Sequence, residues 1–382
     1  MVLEDFKKPL VEREFPLPQP RPGEALVRML AAGVCGSDVH MWQGQDPRTP
    51  RPIILGHEGV GEIVALGTGS FSPVVRRKCA CPPSFVGQDV PVPLSVDGQP
   101  LSVGQRIIWN RGVVCGRCYF CAVKHEPELC PHRKVYGIHS SCEKPPHLNG
   151  CYADHILLTA GTDIFLLPEE LCEQPEIAVS ASCSGATAAH AFELAPTAPG
   201  DSVLVQGPGP LGLYLVAFAA TAGARHIFVV GGTPERLALC KEFGATHLLN
   251  RNATTPDERR DVIMNMTSGR GVDVAYEAVG AAEVVAEGLR LVRTGGAYAL
   301  AGFGQPGGSL AFDLYTDIVR KNLRLQGVWV SHTRHTHAAL ALVARHPEAF
   351  AKLVTRKYSL RQATEALEAA KRREGMKLVL AP

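Results

Sequence analysis

SVLVQGPGPLG, Ser202 to Gly212, carries strand-forming residues directly into three glycines, Gly207, Gly209 and Gly212. The apolar run that follows has the length of a helix. A GxGxxG pattern has meaning only between a strand and a helix, and here it has that setting. Gly207 permits the tight turn, Gly209 lets a pyrophosphate approach the backbone, and Gly212 lets helix and strand pack closely. Pro210 and Leu211 open the helix, whose free amides face the phosphates. The competing reading is an ordinary strand-to-helix turn, and the surrounding pattern argues against it.

Outward from this turn the period alternates between strand and helix. The strands are SVLVQG, HIFVVGG, HLLN, VDVAYEAVG, GGAYALAGF and LRLQGVWV, separated by helical stretches such as PERLALCKEFGA and AAEVVAEGLRLV. Apolar strands joined through helices predict a parallel, doubly wound α/β sheet from Ser202 to Val330. Upstream the texture differs. From Glu14 to Gly69, short apolar alternation is broken by Gly and Pro, as in EALVRMLAAGV and PIILGHEGVGEIVALG, which reads as a barrel-like β module. Ser70 to Leu101, with Arg76, Arg77 and Lys78, reads as an insertion or long loop. Cys79 and Cys81 within it stand too close for ordinary chelation and read as incidental thiols. Cys183 to Ala195 reads as a small-residue helix that begins the crossover. His332 to Pro382 reverts to helices and a final strand, MKLVLA, with Ser359 and Gln362 forming a capping box.

Two groups of residues carry metal chemistry. CGSDVH, Cys35 to His40, followed by Gly56-His57-Glu58, offers the thiolate and imidazole that Zn²⁺ prefers. Cys115, Cys118, Cys121 and Cys130 can saturate a tetrahedral zinc and leave no open position, which makes that lobe structural. An iron–sulfur cluster would need a last gap of three residues, and here eight separate Cys121 from Cys130. A nucleic-acid zinc ribbon would need a basic face. The net charge is +2 with both signs interspersed, so no such footprint exists.

Composition sets the outer limits. The 382 residues, 46% hydrophobic and 20% charged, suffice for two domains. The longest apolar run, near Leu211 to Ala222, is shorter than the roughly 20 residues of a spanning helix. The first residues lack the basic-then-apolar pattern of an export signal. A cytoplasmic protein acting on a small molecule, with neither nucleic acid nor membrane as partner, is the expectation. The twelve cysteines then serve as thiols and ligands more than as disulfides. Trp42 and Trp109 read as pocket or core aromatics, and His190 as a satisfied core residue. His332, His335 and His337 read as a polar loop between domains.

Taken in order, CGSDVH, GHEGVGEIVALG, the four-cysteine lobe, CSGATAAHAF and QGPGPLG resemble the zinc-dependent medium-chain alcohol and polyol dehydrogenases over nearly the whole chain. The resemblance implies a GroES-like β-barrel catalytic domain over 1–180, with the insertion at about 70–101 and the zinc lobe at about 111–132. It implies a Rossmann NAD(P)-binding domain over 181–331 and a return to the catalytic domain over 332–382. It assigns Cys35, His57 and Cys183 as ligands of a catalytic zinc, giving two zinc ions per chain with the lobe. Asp38 then orients the ligand histidine. Glu58 can approach the metal or form an ion pair, Ser37 and His40 form a proton relay, and Lys377 lies near the cofactor pyrophosphate. Arg111 occupies a position that lines the substrate pocket, beside Trp42. A guanidinium there would favour a polyol, a sugar or an anionic alcohol, unless Arg111 turns outward or pairs with an acid. A homodimer or homotetramer is implied as well.

Three departures stand out. The last gap of the cysteine lobe is one residue longer than usual, so a one-residue bulge is expected. The insertion has no counterpart in shorter members. Where an acidic residue would receive the ribose 2′-hydroxyl, this chain has Gly231 and Gly232, with Thr233 and Arg236 close by. NAD and NADP both stay open. The reaction implied is reversible oxidation of a secondary alcohol, polyol or sugar-derived alcohol. The rivals are a zinc-free quinone reductase and a non-catalytic dinucleotide-binding protein of the same fold; both would lack Cys35, His57 or Cys183.

Overall fold

The computed structural model describes residues 1–47, 49–67 and 93–382. Arg76, Arg77, Lys78, Cys79, Cys81 and most of the expected insertion lie outside the described residues. The chain forms two compact units, Met1–Ser182 with Val354–Pro382, and Cys183–Leu353. No helix among the described residues is long and apolar enough to cross a membrane. The ten cysteines among them are free thiols.

In chain order, the first unit uses strands β1 (Ala25–Val34), β2 (Glu58–Leu66), β3 (Arg106–Trp109), β4 (His155–Leu158) and β5 (Ile164–Leu166), with helix α1 (Gly36–Trp42) between β1 and β2. The second unit runs through α2 (Ser184–Leu194), β6 (Ser202–Gln206), α3 (Pro210–Thr221), β7 (His226–Gly231), α4 (Pro234–Glu242), β8 (His247–Asn250), α5 (Pro256–Met266), β9 (Val272–Glu277), α6 (Ala282–Leu291), β10 (Val292–Leu300), β11 (Arg324–Gly327) and α7 (Thr333–Arg345). The chain returns to the first unit with β12 (Val354–Ser359), then α8 (Ala363–Lys371) and β13 (Lys377–Ala381).

The sheet of the first unit has the order β12-β13-β1-β2-β3-β5, with β4 also on β1. β1 is its spine. It pairs with β2 along one side, and with β4 and then β13 along the other. Its core gathers Val27, Met29, Ile63, Ile107, Trp109, Tyr152 and Leu380. Trp42, read as a pocket or core aromatic, is 6% exposed, belongs to this core, and donates its indole N–H to the Lys8 carbonyl at 2.7 Å.

In the second unit six strands run in the order β8-β7-β6-β9-β10-β11, every neighbouring pair parallel. Consecutive strands are linked through helices, so both faces can be covered and the central strands read as continuous apolar runs. β6 is buried over its whole length. The order reverses beside β6, and a doubly wound sheet binds its ligand at such a switch point, outside the carboxyl ends of the strands.

The return comes later than the expected residue 332. Residues 332–353 stay in the second unit, where α7 packs on α2 and α3. His332, His335 and His337 therefore lie at the start of a helix and within it, not in a loop between domains. The apolar face that makes this helix, Ala339, Leu340, Leu342 and Val343, begins only after the histidines. His190 stacks on His335 with ring centroids 4.4 Å apart and bonds the Val330 carbonyl at 2.9 Å.

Candidate active site

Cys35 follows β1 immediately and is the N-cap of α1. The helix starts there because a capping box closes it. The Asp38 carboxylate, three residues on, accepts the Cys35 backbone N–H at 2.9 Å. The same carboxylate serves a second purpose through its other oxygen, which lies 3.2 Å from Nδ1 of His57. Tyr152 donates its hydroxyl to Asp38 Oδ2 at 3.1 Å. Asp38, His57 and Tyr152 are all fully buried.

Four donors converge here. A sulfur of Cys35, a ring nitrogen of His57, a carboxylate oxygen of Glu58 and the sulfur of Cys183 lie within 4.8 Å of one another. Cys183 is the residue directly after Ser182, where the first unit ends. With Nδ1 turned to Asp38, His57 presents Nε2 to the other donors, the orientation a metal-ligating histidine takes. Two thiolates, an imidazole and a carboxylate suit zinc and not the hard-oxygen cations. Burial alone would keep the His57 ring neutral. The Asp38 carboxylate and the Cys35 sulfur outweigh it and lift the ring's pKa to about 10. A cation bound at Nε2 displaces the proton that this field otherwise holds. Burial and then the Asp38 charge hold the Tyr152 phenol far above its ordinary value, so it stays protonated and donates to Asp38.

Glu58 is fully buried and has a second partner. Its Oε2 lies 2.8 Å from the Lys377 ammonium, which also donates to the Val34 carbonyl at 3.3 Å. Lys377 on β13 reaches Glu58 on β2 across β1. The crossing is possible because Glu58 pairs in register with Gly33 of β1. A Cβ on Gly33 would stand 2.2 Å from Glu58 Oε2. Burial raises the Glu58 carboxyl above its ordinary range, and the Lys377 charge pulls against that rise. The ammonium expected near the cofactor is thus committed to Glu58 inside the first unit.

Ser37 Oγ lies 3.3 Å from Cys35 Sγ and 3.5 Å from His57 Nε2, beside the donor cluster. His40 is part-exposed, three residues further along α1. No hydrogen bond joins it to Ser37 among the described residues. Arg111 is 9% exposed, so it does not turn outward to solvent.

The second cluster is the cysteine lobe. Sulfur–sulfur distances are 3.5 Å for Cys118–Cys121, 3.8 Å for Cys118–Cys130 and 3.6 Å for Cys115–Cys130. All four sulfurs lie within 4.8 Å of one another. The Arg117 backbone amide, against a smaller opposing effect of burial, draws the Cys115 thiol down to about 6, while burial pushes Cys121 and Cys130 up. Thiols this close cannot all ionise beside one another without a cation, which a tetrahedral zinc supplies. Cys121 itself sits in a π-helical turn, Phe120–Lys124, which the chain leaves through a left-handed His125 at φ 58° on its way to Cys130. The wider turn takes up one residue more than an α turn.

In the second unit, a Cβ on Gly212 would stand 1.9 Å from the Gly207 carbonyl oxygen, so α3 packs on β6 only through glycine. Gly207 has φ 110°, a left-handed value that suits glycine. Nothing lies within 4 Å of where a Gly209 Cβ would stand, which leaves open the face that a pyrophosphate approaches. Pro210 is the first residue of α3 and Leu211 the second. Glu277, at the end of β9, accepts the backbone amides of Val279 and Gly280 at 2.6 Å each and of Gly302 at 3.1 Å. It ties together two of the loops on the carboxyl edge of the sheet.

Sequence reasoning missed Tyr152, Glu277, Arg251 and Asn252. The last two surround Gly232: a Cβ there would stand 3.2 Å from Arg251 Nε and 3.1 Å from Asn252 Nδ2. Gly231 ends β7, and Thr233 caps α4 without a side-chain hydrogen bond. Arg236 lies in the first turn of that helix. A position directly after the next strand was the only available signal for Arg251.

Comparison with known proteins agrees with this geometry. Residues 21–169 match the alcohol dehydrogenase GroES-like domain, and residues 210–345 match the zinc-binding dehydrogenase family. The 5-exo-hydroxycamphor dehydrogenase of Pseudomonas putida is 33% identical over 94% of this chain and 91% of its own. The sorbitol dehydrogenase of Bacillus subtilis is 31% identical over 75% of this chain and 70% of its own. A crystal structure of an alcohol dehydrogenase from Thermotoga maritima superposes with a TM-score of 0.90 and 42% identity, covering 100% of this chain and 98% of that one. With both domain families matched in sequence and the metal donors and glycine turn in place, the chain belongs to the zinc-type medium-chain alcohol dehydrogenases, whose chemistry is NAD(P)-linked oxidoreduction of alcohols.

Proposed function

We propose that the protein oxidises a secondary alcohol or polyol to the ketone, with NADP as the hydride acceptor and one zinc at each thiol cluster. The observation that carries the reading is the convergence of Cys35, His57 and Cys183, with Asp38 fixing the imidazole. Zinc held by these residues supplies a Lewis acid toward the substrate oxygen, and the dinucleotide supplies the hydride chemistry. Ser37 Oγ, beside the donors, would take the substrate's hydroxyl proton while giving up its own. His40, part-exposed further along α1 and not bonded to Ser37 among the described residues, would accept that proton through an intervening hydroxyl and pass it to solvent. Relatives named for 5-exo-hydroxycamphor and sorbitol both handle molecules with secondary hydroxyls, which supports that substrate class. A screen of secondary alcohols, polyols and sugar acids against both dinucleotides tests it. Turnover of none of them with either dinucleotide would contradict the reading.

The choice of NADP rests on the end of β7. A Cβ on Gly231 would stand 2.4 Å from Pro208 Cγ, so no carboxylate fits where one would receive the ribose 2′-hydroxyl. Arg251 stands over Gly232, is exposed, and makes no ion pair among the described residues. Its backbone N–H donates to Gly231 O at 2.9 Å, and Asn252 Nδ2 donates to Gly232 O at 2.8 Å, which fixes the loop beside the turn. A guanidinium there suits a 2′-phosphate. Arg251→Ala is expected to lower kcat/KM for NADP by roughly ten- to a hundredfold, the worth of a charge-assisted hydrogen bond, while changing the value for NAD by less than about twofold. An unchanged ratio of the two values would remove Arg251 from this role.

The cysteine lobe then holds a structural zinc. Cys118→Ala is expected to lose that metal and lower the thermal midpoint by at least about 5 °C. An unchanged midpoint in the metal-depleted variant would contradict a structural site. Assembly into dimers is supported by β11, the open edge of the six-stranded sheet, where Leu325 is 40% exposed and Trp329 just beyond it is 50% exposed. The free thiols fit a reducing cytoplasm.

A further inference from the structure

We propose that Tyr152 is a positioning residue for the metal centre, holding Asp38 in the rotamer that aims His57 and seating the backbone that carries His57. The inference rests on the zinc reading of Cys35, His57 and Cys183. Three observations converge on it. The Tyr152 hydroxyl and the Cys35 backbone N–H both donate to the same oxygen of Asp38, at 3.1 and 2.9 Å. With Oδ2 held from two sides, Oδ1 is left 3.2 Å from His57 Nδ1. A turn of the carboxylate would break both bonds to Oδ2 at once, and no water could replace them cheaply in a fully buried site.

The ring is placed as tightly as the hydroxyl. Gly56, the residue before His57, has φ 91°, and a Cβ on it would stand 2.4 Å from Tyr152 Cδ1. The Tyr152 N–H donates to Leu55 O at 2.9 Å, and the Cys151 N–H donates to Gly56 O at 2.9 Å. The backbone of 151–152 therefore lies along 55–56, and the ring covers the left-handed glycine that turns the chain into His57. Tyr152 thus reaches the imidazole by two routes, through Asp38 and through the Gly56 backbone. A phenylalanine would fill the same space and keep the second route alone, which makes the hydroxyl separately testable.

The experiment compares wild type, Tyr152→Phe, Asp38→Ala and the double variant in the full-length protein. Zinc affinity is measured by competition with a chromophoric chelator, with the visible bands of the cobalt-substituted protein as a second readout. Tyr152→Phe is expected to stay folded, with a cooperative transition lowered by a few degrees at most, and to keep the metal of the cysteine lobe. It should lose about tenfold in affinity at the Cys35 centre, the lower end of the effect of removing a partner behind a metal ligand, and its cobalt bands should shift. In the Asp38→Ala background the same substitution should change affinity less than about twofold, because the bond it removes is already gone. Unchanged affinity and unchanged bands in Tyr152→Phe would overturn the inference. So would an equal tenfold loss in the Asp38→Ala background. A wild type that takes up metal only at the cysteine lobe would overturn the zinc reading itself, a result distinct from both.

Discussion

Cys35→Ser is expected to lower kcat by about a thousandfold or more while leaving dinucleotide affinity within about twofold. A serine hydroxyl at this position is a harder and weaker ligand than a thiolate. The centre would lose the several kcal/mol of charge stabilisation that a correctly held zinc provides, and about 4 kcal/mol corresponds to a factor of a thousand. The fold should survive. The cap of α1 comes from the Asp38 side chain to the backbone N–H of residue 35, and that N–H is unchanged. Gly207, Gly209 and Gly212 belong to the second unit and take no part in the donor cluster. Steady-state kinetics together with dinucleotide titration check the prediction. A variant turning over at the wild-type rate would show that Cys35 holds no catalytic metal.

Lys377→Met is expected to destabilise the first unit by about 3–5 kcal/mol, the range for removing one member of a buried ion pair. The partner left behind, Glu58, is fully buried, and Gly33 has no side chain to offer it. Adding Glu58→Gln should recover most of the loss, because a neutral buried pair carries no orphaned charge. The pH dependence has a defined sign. With Lys377 gone, burial raises the folded pKa of Glu58 with less opposition, above the ordinary 4.5. A raised folded pKa favours the native state while the carboxyl is protonated. The deficit is therefore smallest below about pH 4.5 and grows as the pH rises through the folded value. Urea unfolding followed through Trp42 and Trp109, both in the first unit's core, measures it. A loss below 1 kcal/mol that did not vary with pH would contradict the burial of the pair.

What could be read in the sequence was what the backbone demands locally. Gly207 and Gly212 must be glycines because a left-handed turn and a helix–strand contact leave no room for a side chain, and such a need shows in a single short window. The cysteines of the lobe announce themselves by spacing for the same reason. The alternation of strand and helix from Ser202 to Val330 fixed the parallel sheet, since each period is local too. Residues joined only by the fold left no such mark. Tyr152 reaches Asp38 across 114 positions and Lys377 reaches Glu58 across 319. Trp42 stands between pocket and core in the sequence because an aromatic two residues after His40 looks the same whether it faces a ligand or a core. His332, His335 and His337 read as a loop because the first turn of the helix that starts at Thr333 is polar and its apolar face comes later.

The central claim is that Cys35, His57 and Cys183 hold a zinc ion distinct from the one in the cysteine lobe. Metal content per chain, measured by plasma mass spectrometry on the purified protein and on Cys35→Ser beside it, tests this most directly. Two thiol-bearing clusters predict about two zinc ions in the wild type and about one in the variant. Equal zinc in the two proteins, or none in either, would contradict it.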